Sequence, residues 1–231
     1  MNGRAQVLAA IRHGLGRDAL DGDQATPLAA RLATPTPNRL PAASRGDRMT
    51  LLRRFADKMR RVDATLATVT DFAAVPNAVV ERFPETGSAR VAPHPDLAPL
   101  DWGAVGLQAT FGPARGDDPL GVSRAHAGVA ESGTLVLCSG PNSPTSLNFL
   151  PDRHVVVLHA DEIVGAYETV WQGLREGATG DGFMPRTVNW ITGPSRTADI
   201  EQTLYLGIHG PRQLHVLLVG PDLSDLVDGN G

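Results

Sequence analysis

The sequence predicts a three-layer α/β domain built on a mostly parallel sheet. Two observations carry this. Short, continuous apolar runs rich in Val, Leu and Ile are bounded by Gly or Pro, the signature of strands covered on both faces. Amphipathic helical patterns lie between several of them, and strands alternating with helices favour an α/β layering. The composition agrees: 231 residues, 42% hydrophobic and 20% charged, describe a chain long enough to bury a sizeable core.

Taken in order, Arg4 to His13 places Val7, Leu8 and Ile11 at helical spacing and predicts a short amphipathic helix. Gly14 to Gly46 carries Pro27, Pro35, Pro37 and Pro41 with no sustained period, so residues 1–46 read as an N-terminal helix and an extended, proline-containing arm. Residues 47–231 read as the α/β domain. Its first helix, Asp47 to Arg61, aligns Met49, Leu52, Phe55, Ala56 and Met59 on one face. A strand over Ala64 to Thr70 follows, then a helical pattern from Asp71, a candidate cap, to Phe83, then a strand over Ser88 to Ala92. Further strands are expected at Leu107 to Phe111, Thr134 to Cys138, His154 to His159, Val188 to Thr192, Leu204 to Ile208 and Leu214 to Val219. A helix is expected over Asp161 to Glu176, where Ile163, Val164, Tyr167, Val170, Trp171 and Leu174 form an apolar stripe.

Charge and composition exclude several functions. The 21 Lys and Arg stand against 25 Asp and Glu, and neither this total nor any local run supplies the clustered charge that binding a phosphate backbone needs, so nucleic acid is not an expected partner. No run of about 18 apolar residues occurs, and the apolar stretch at Val7 to Ile11 is too short for a signal-peptide core, so a cytoplasmic protein without a membrane span is expected. One cysteine, Cys138, permits no internal disulfide and no iron–sulfur cluster held by this chain alone. The seven histidines form no HxxxH or HxH pair, so no metal site is expected. Cys138 lies in an apolar run and reads as an inert thiol. The 25 Gly and 18 Pro mark many turns rather than disorder.

Two segments have the residue types for chemistry. In Gly121 to Gly140, Glu131, Ser132, Gly133 and Thr134 precede an apolar strand. Glu131 reads as a general base, a nucleophile or an acceptor for a substrate hydroxyl, or else as a turn carboxylate that accepts backbone bonds. Gly133 permits positive φ or close approach of a ligand. In Val188 to Glu201, the strand ends at Thr192 and is followed by Gly193, Pro194, Ser195, Thr197 and Asp199. Small residues beyond a strand end can present N–H groups and hydroxyls to an anion, although Ser195 and Asp199 can equally cap local backbone. Neither a P-loop nor a GxGxxG fingerprint is present. Between them, Ser139 to His154 reads as a loop with one helical turn, in which Arg153 and His154 either face a site or pack.

The runs Val129-Ala130-Glu131-Ser132-Gly133-Thr134-Leu135-Val136-Leu137, Leu147-Asn148-Phe149-Leu150-Pro151 with His154-Val155-Val156-Val157, Gly193-Pro194-Ser195-Arg196-Thr197-Ala198-Asp199-Ile200-Glu201 and Leu206-Gly207-Ile208-His209-Gly210-Pro211 closely resemble the lactate-utilization protein C family of LUD-domain proteins. The resemblance covers about Ala64 to Gly220. It implies a Rossmann-like fold of the sugar-phosphate isomerase and CoA-transferase type and a part in bacterial oxidation of L-lactate to pyruvate. The partners it implies are an iron–sulfur subunit and a cysteine-rich subunit, which would carry the redox centres that a chain with one cysteine lacks. The expected crevice for a small carboxylate is lined by Ser132, Gly133, Thr134, Gly193, Ser195, Thr197 and Asp199. By analogy with CoA transferases of the related fold, whose nucleophile is a glutamate, Glu131 is the candidate catalytic residue. A stand-alone enzyme acting on an acyl-CoA or a sugar phosphate, or a non-catalytic scaffold, remain the alternatives.

Overall fold

The protein is described from a computed structural model, which covers residues 3–16, 20–36, 38–177, 184–200, 203–221, 223 and 226, with the side chains of 198–200, 203 and 204 left out. The chain divides into two compact units, Met1–Arg39 and Leu40–Gly231. The first holds two helices, α1 (Gly3–Gly14) and α2 (Gly22–Ala33), neither with a buried residue. The arm expected over Gly14 to Gly46 is therefore not wholly extended. Asp21 caps α2 by accepting from the Gln24 N–H at 2.8 Å, and the run from Leu28 to Ala33 is composed of strong helix formers. Pro27 lies in the second turn and removes one backbone bond without ending the helix.

The second unit follows the expected order with an added sheet. Asp47 caps α3 (Arg48–Arg61) through the Thr50 N–H at 2.7 Å. Then come β1 (Thr65–Val69), a 3-10 turn capped by Asp71, α4 (Val75–Arg82), β2 (Ser88–Val91), β3 (Gln108–Phe111), β4 (Leu120–Arg124), β5 (Ala127–Val129) and β6 (Thr134–Cys138). A 3-10 turn at Thr145–Asn148 leads to β7 (Arg153–His159), and β8 (Ile163–Val164), α5 (Tyr167–Glu176), β9 (Val188–Ile191), β10 (Arg196–Ile200), β11 (Thr203–Leu206) and β12 (Gln213–Val219) complete the unit. The helix expected from Asp161 begins at Tyr167: Ala160–Glu162 is a 3-10 turn, and Ile163 pairs with Gly128 as a strand instead.

The central sheet has six parallel strands in the order β1-β12-β7-β4-β2-β3. Its inner strands β12, β7 and β4 are buried on both faces. Val155, Val157, Leu217 and Val219 point to the layer of α4, with Val75, Val79, Phe83 and Trp102. Val156, Leu158, Val216 and Leu218 point to the opposite layer, with Phe55 and Met59 of α3 and Leu135 and Leu137 of β6. Two runs assigned by their apolar character to the parallel sheet, Thr134 to Cys138 and Val188 to Thr192, leave it. They form a second sheet, β8-β5-β6-β9, in which the β5–β6 and β6–β9 pairs are antiparallel. Its outer face, with Val129 and Val136, packs on Val170 and Leu174 of α5. β10 and β11 form a separate antiparallel hairpin.

Candidate functional site

The chain leaves β9 through Thr192, Gly193, Pro194 and Ser195 before entering the β10–β11 hairpin. Gly193 has φ +86°, and a Cβ there would lie 2.8 Å from the Val62 carbonyl oxygen, so glycine lets the strand end close onto the C-terminus of α3. Arg196 fixes the same junction by pairing with Asp63 and donating to the Val62 carbonyl at 3.1 Å. Ser195 is tied to the segment after β11: its N–H donates to Pro211 O at 2.8 Å, its carbonyl accepts from the Gly207 N–H at 3.0 Å, and its hydroxyl accepts from the His209 N–H at 3.3 Å.

These contacts shape a cleft of about 240 Å³ whose walls include His154, Thr192, Gly193, Ser195, His209 and Leu214. That is below the roughly 300–1,000 Å³ typical of clefts for drug-sized ligands and suits a small molecule. The cleft lies at the carboxyl end of β9 but at the amino ends of β7 and β12. His154 forms its inner wall. The residue is 1% exposed, its Nε2 lies 2.7 Å from Ser123 Oγ, and its Nδ1 has no partner among the described residues. Burial lowers its pKa to about 3, so at neutral pH the ring is a neutral hydrogen-bonding group rather than a cation.

Glu131, Ser132, Gly133 and Thr134 occupy the β5–β6 turn, closed by the Gly133 N–H donating to Val129 O at 2.9 Å. Gly133 has φ +69°, and a Cβ would come within 2.5 Å of Lys58 Cβ and 2.9 Å of the Met59 nitrogen. Its freedom serves close packing on α3, as that of Gly193 does. Glu131 Oε1 accepts from the Tyr167 N–H at 3.4 Å, at the start of α5, while Oε2 is buried without a partner among the described residues. The carboxylate thus caps α5, and Glu131 is not among the residues that wall the cleft.

The turn and the cleft are nevertheless joined. Ser132 Oγ lies 2.7 Å from Thr134 Oγ1 and 2.8 Å from the Tyr167 hydroxyl, and Thr134 Oγ1 lies 2.8 Å from that hydroxyl and 2.7 Å from Thr192 Oγ1. Thr134 is fully buried, whereas Thr192 is exposed at the cleft wall. Tyr167 is held in turn by the Trp190 ring, 5.0 Å between centroids. Sequence reasoning missed Tyr167 and Thr192: one sits in an apolar helical stripe and the other ends a strand. Thr197 is buried opposite Tyr205 in the hairpin and does not wall the cleft. The Asp199 side chain and Glu201 lie outside the described residues.

The carboxyl ends of the parallel strands, where such sheets usually bind ligands, are filled by an ion network. Arg124, at the end of β4, binds Glu162 through both Nη atoms at 2.6 and 2.7 Å and Asp96 through Nε at 3.0 Å. Its guanidinium also lies over the Phe72 ring. Among the described residues no group of three or more His, Cys, Asp or Glu is arranged to hold a metal ion, and no helix is long and apolar enough to cross a membrane. Cys138 is half-buried, and desolvation raises its thiol pKa.

The LUD domain family model matches residues 118–219, a stretch that runs from the start of β4 to the end of β12 and contains both the cleft and the hydroxyl network. A crystal structure of a DUF162 family protein from Deinococcus radiodurans shares the fold, with a TM-score of 0.58 and 24% identity over 76% of this chain and 100% of that one. Fold and matched stretch together define an α/β protein carrying a LUD domain. Lactate utilization protein C of Deinococcus radiodurans is 30% identical over 184 residues, 75% of this chain and 81% of that protein. The chain belongs to the lactate utilization protein C family. Two further relatives match over less than half their own length: lactate utilization protein C of Bacillus subtilis, 33% identical over 43% of this chain and 42% of that protein, and an uncharacterized protein of Neisseria meningitidis, 38% identical over 44% of this chain and 42% of that protein.

Proposed function

We propose that this chain is a component of a lactate-utilisation system that oxidises L-lactate to pyruvate, and that it binds a small carboxylate in the cleft between β9 and the amino ends of β7 and β12. The observation that carries the reading is the relationship to lactate utilization protein C along 81% of that protein. The cleft fits it in size and chemistry: small, walled by hydroxyls and by a neutral imidazole, with Arg196, already paired with Asp63, in its wall. Oxidation of a 2-hydroxy acid releases two electrons and two protons. In this reading the electrons pass to iron–sulfur and cysteine-rich partner subunits, because a single cysteine with a raised pKa offers this chain no cluster ligation.

Ser195 and His154 contact the ligand in this scheme. Glu131 acts as a positioning residue through α5 and Tyr167. The test is reconstitution of lactate oxidation from the partner subunits with and without this chain. Omission is expected to abolish turnover, and Ser195→Ala to raise KM with a smaller effect on kcat. Undiminished oxidation without the chain would overturn the proposal.

A further inference from the structure

The hydroxyl network fixes the polarity of the cleft wall. Ser132, Thr134 and Tyr167 form a closed triangle with oxygen separations of 2.7, 2.8 and 2.8 Å, and Thr134 makes a fourth contact, to Thr192, at 2.7 Å. Oxygens this close need a proton between them, because lone pairs facing one another at that distance repel. The four contacts require four protons, and the four hydroxyls carry four. The triangle uses those of Ser132, Thr134 and Tyr167, in either sense of rotation. If Thr134 donated to Thr192 instead, the triangle would keep two protons for three contacts. Thr134 therefore donates once and accepts twice, which exhausts its valence, and Thr192 must be the donor in the fourth contact.

Thr192 is then left with lone pairs alone for the cleft. Ser195 has the opposite character: its hydroxyl accepts from the His209 N–H, and among the described residues its proton has no acceptor. One end of the Thr192–Ser195 segment can only accept and the other can donate. Three residues span at most roughly 10 Å, a gap that a three-carbon acid bridges with one hydrogen bond at each end.

We infer that Thr192 is the specificity-determining acceptor of the cleft, selecting a 2-hydroxy acid over the corresponding 2-oxo acid, while Ser195 donates to the carboxylate. A substrate hydroxyl donates to Thr192 Oγ1; a ketone oxygen meets lone pairs there. The inference rests on the reading of the cleft as a lactate site and adds which member of the redox pair it holds. It also assigns Tyr167 a positioning role, since the phenol closes the triangle that commits the Thr134 proton.

The experiment is calorimetric titration of the full chain with L-lactate and with pyruvate, for the wild type, Thr192→Val and Tyr167→Phe. The wild type is expected to bind lactate about tenfold more tightly, the worth of one hydrogen bond. Thr192→Val keeps shape but removes the acceptor, and the preference is expected to vanish through weaker lactate binding. Tyr167→Phe leaves three protons for two contacts, which frees Thr192 to donate, and the preference is expected to narrow severalfold through tighter pyruvate binding. Equal wild-type affinities, or a preference that survives Thr192→Val, would overturn the selectivity while leaving the lactate reading intact. Binding of neither acid would overturn the lactate reading, and the selectivity with it.

Discussion

Lowering the pH from 7.5 to 5 is expected to cost the folded protein about 4 kcal/mol through two buried histidines. Burial lowers the pKa of His154 to about 3; burial, with the nearby Arg82 charge, lowers that of His215 to about 4. His215 is 3% exposed, with Nδ1 2.8 Å from Thr65 Oγ1 and Nε2 unpartnered among the described residues. In the unfolded chain both rings titrate near 6.5, so above that value neither state binds the proton and the full stability is present. As the pH falls below 6.5 the unfolded state takes up two protons that the folded state refuses until pH 3 to 4. At pH 5 an unfolded imidazole is about 97% protonated, which favours unfolding by about 2 kcal/mol per ring. His94, whose pKa burial also lowers, acts in the same direction. Carboxylates held low in the fold, such as Asp118 beside Arg90, contribute only below about pH 4 and leave this window to the histidines. Urea unfolding of the wild type and of His154→Gln at both pH values is the assay. The variant is expected to lose about 2 kcal/mol less than the wild type between pH 7.5 and 5, whatever constant penalty the substitution carries. A wild-type change below about 1 kcal/mol, or an equal loss in the variant, would refute the assignment of these rings as buried and neutral.

Gly133→Ala and Gly193→Ala should each cost about 1–3 kcal/mol in chemical denaturation, because both combine positive φ with a Cβ driven into α3 or the Val62 carbonyl. Arg124→Met should cost about 2–3 kcal/mol, less than the loss from a fully buried pair because Glu162 and Asp96 reach solvent, and the loss should shrink in an Arg124→Met/Glu162→Gln double variant. Glu131→Ala should lower stability by about 1 kcal/mol by uncapping α5, whereas Glu131→Gln, which keeps an acceptor for the Tyr167 N–H, should be near neutral and retain lactate oxidation in the reconstituted system. Loss of turnover in a folded Glu131→Gln protein would instead make the carboxylate catalytic.

The strands were legible wherever both faces are buried in apolar surroundings. β7 and β12 read as unbroken runs because odd and even positions each meet a core layer. β4, which lies between β7 and β2, was hidden: only Leu120 and Val122 are apolar, both toward the α4 layer. On the other face Gly121 makes room for Pro151 and Ser123 bonds His154, while Arg124, over Phe72 of the α4 layer, ends the strand in ion pairs. β6 and β9 showed the opposite ambiguity. Leu135 and Leu137 face the central sheet while Val136 faces α5, so an antiparallel strand between two layers carries the same pattern as a parallel one. The β5–β6 turn and the β9 exit were both readable as places of interest, but their meeting was not. It depends on the antiparallel register that sets Leu135 opposite Ile191, and so Thr134 beside Thr192 one step on.

That second sheet also explains why the cleft lies where it does. In an open parallel sheet the space beyond the carboxyl ends of the strands is normally free for a ligand. Here the end of β4 and the segments after β2 and β7 deliver Arg124, Asp96 and Glu162 to one point, and their mutual hydrogen bonds fill it. The second sheet covers the opposite layer, but β9 is its edge, and the chain leaving that edge turns back over the amino ends of β7 and β12. Polar groups otherwise unusual in a core, Ser123 and His154, sit beneath this turn. A buried neutral imidazole whose second ring nitrogen has no partner among the described residues is costly unless something binds there. Filling that hollow with carbon should therefore stabilise the fold and impair the site together. His154→Leu is expected to raise the urea midpoint at pH 5 relative to the wild type while weakening lactate binding by about tenfold or more. A variant that gains stability and binds lactate unchanged would mean that His154 faces the core and not the ligand.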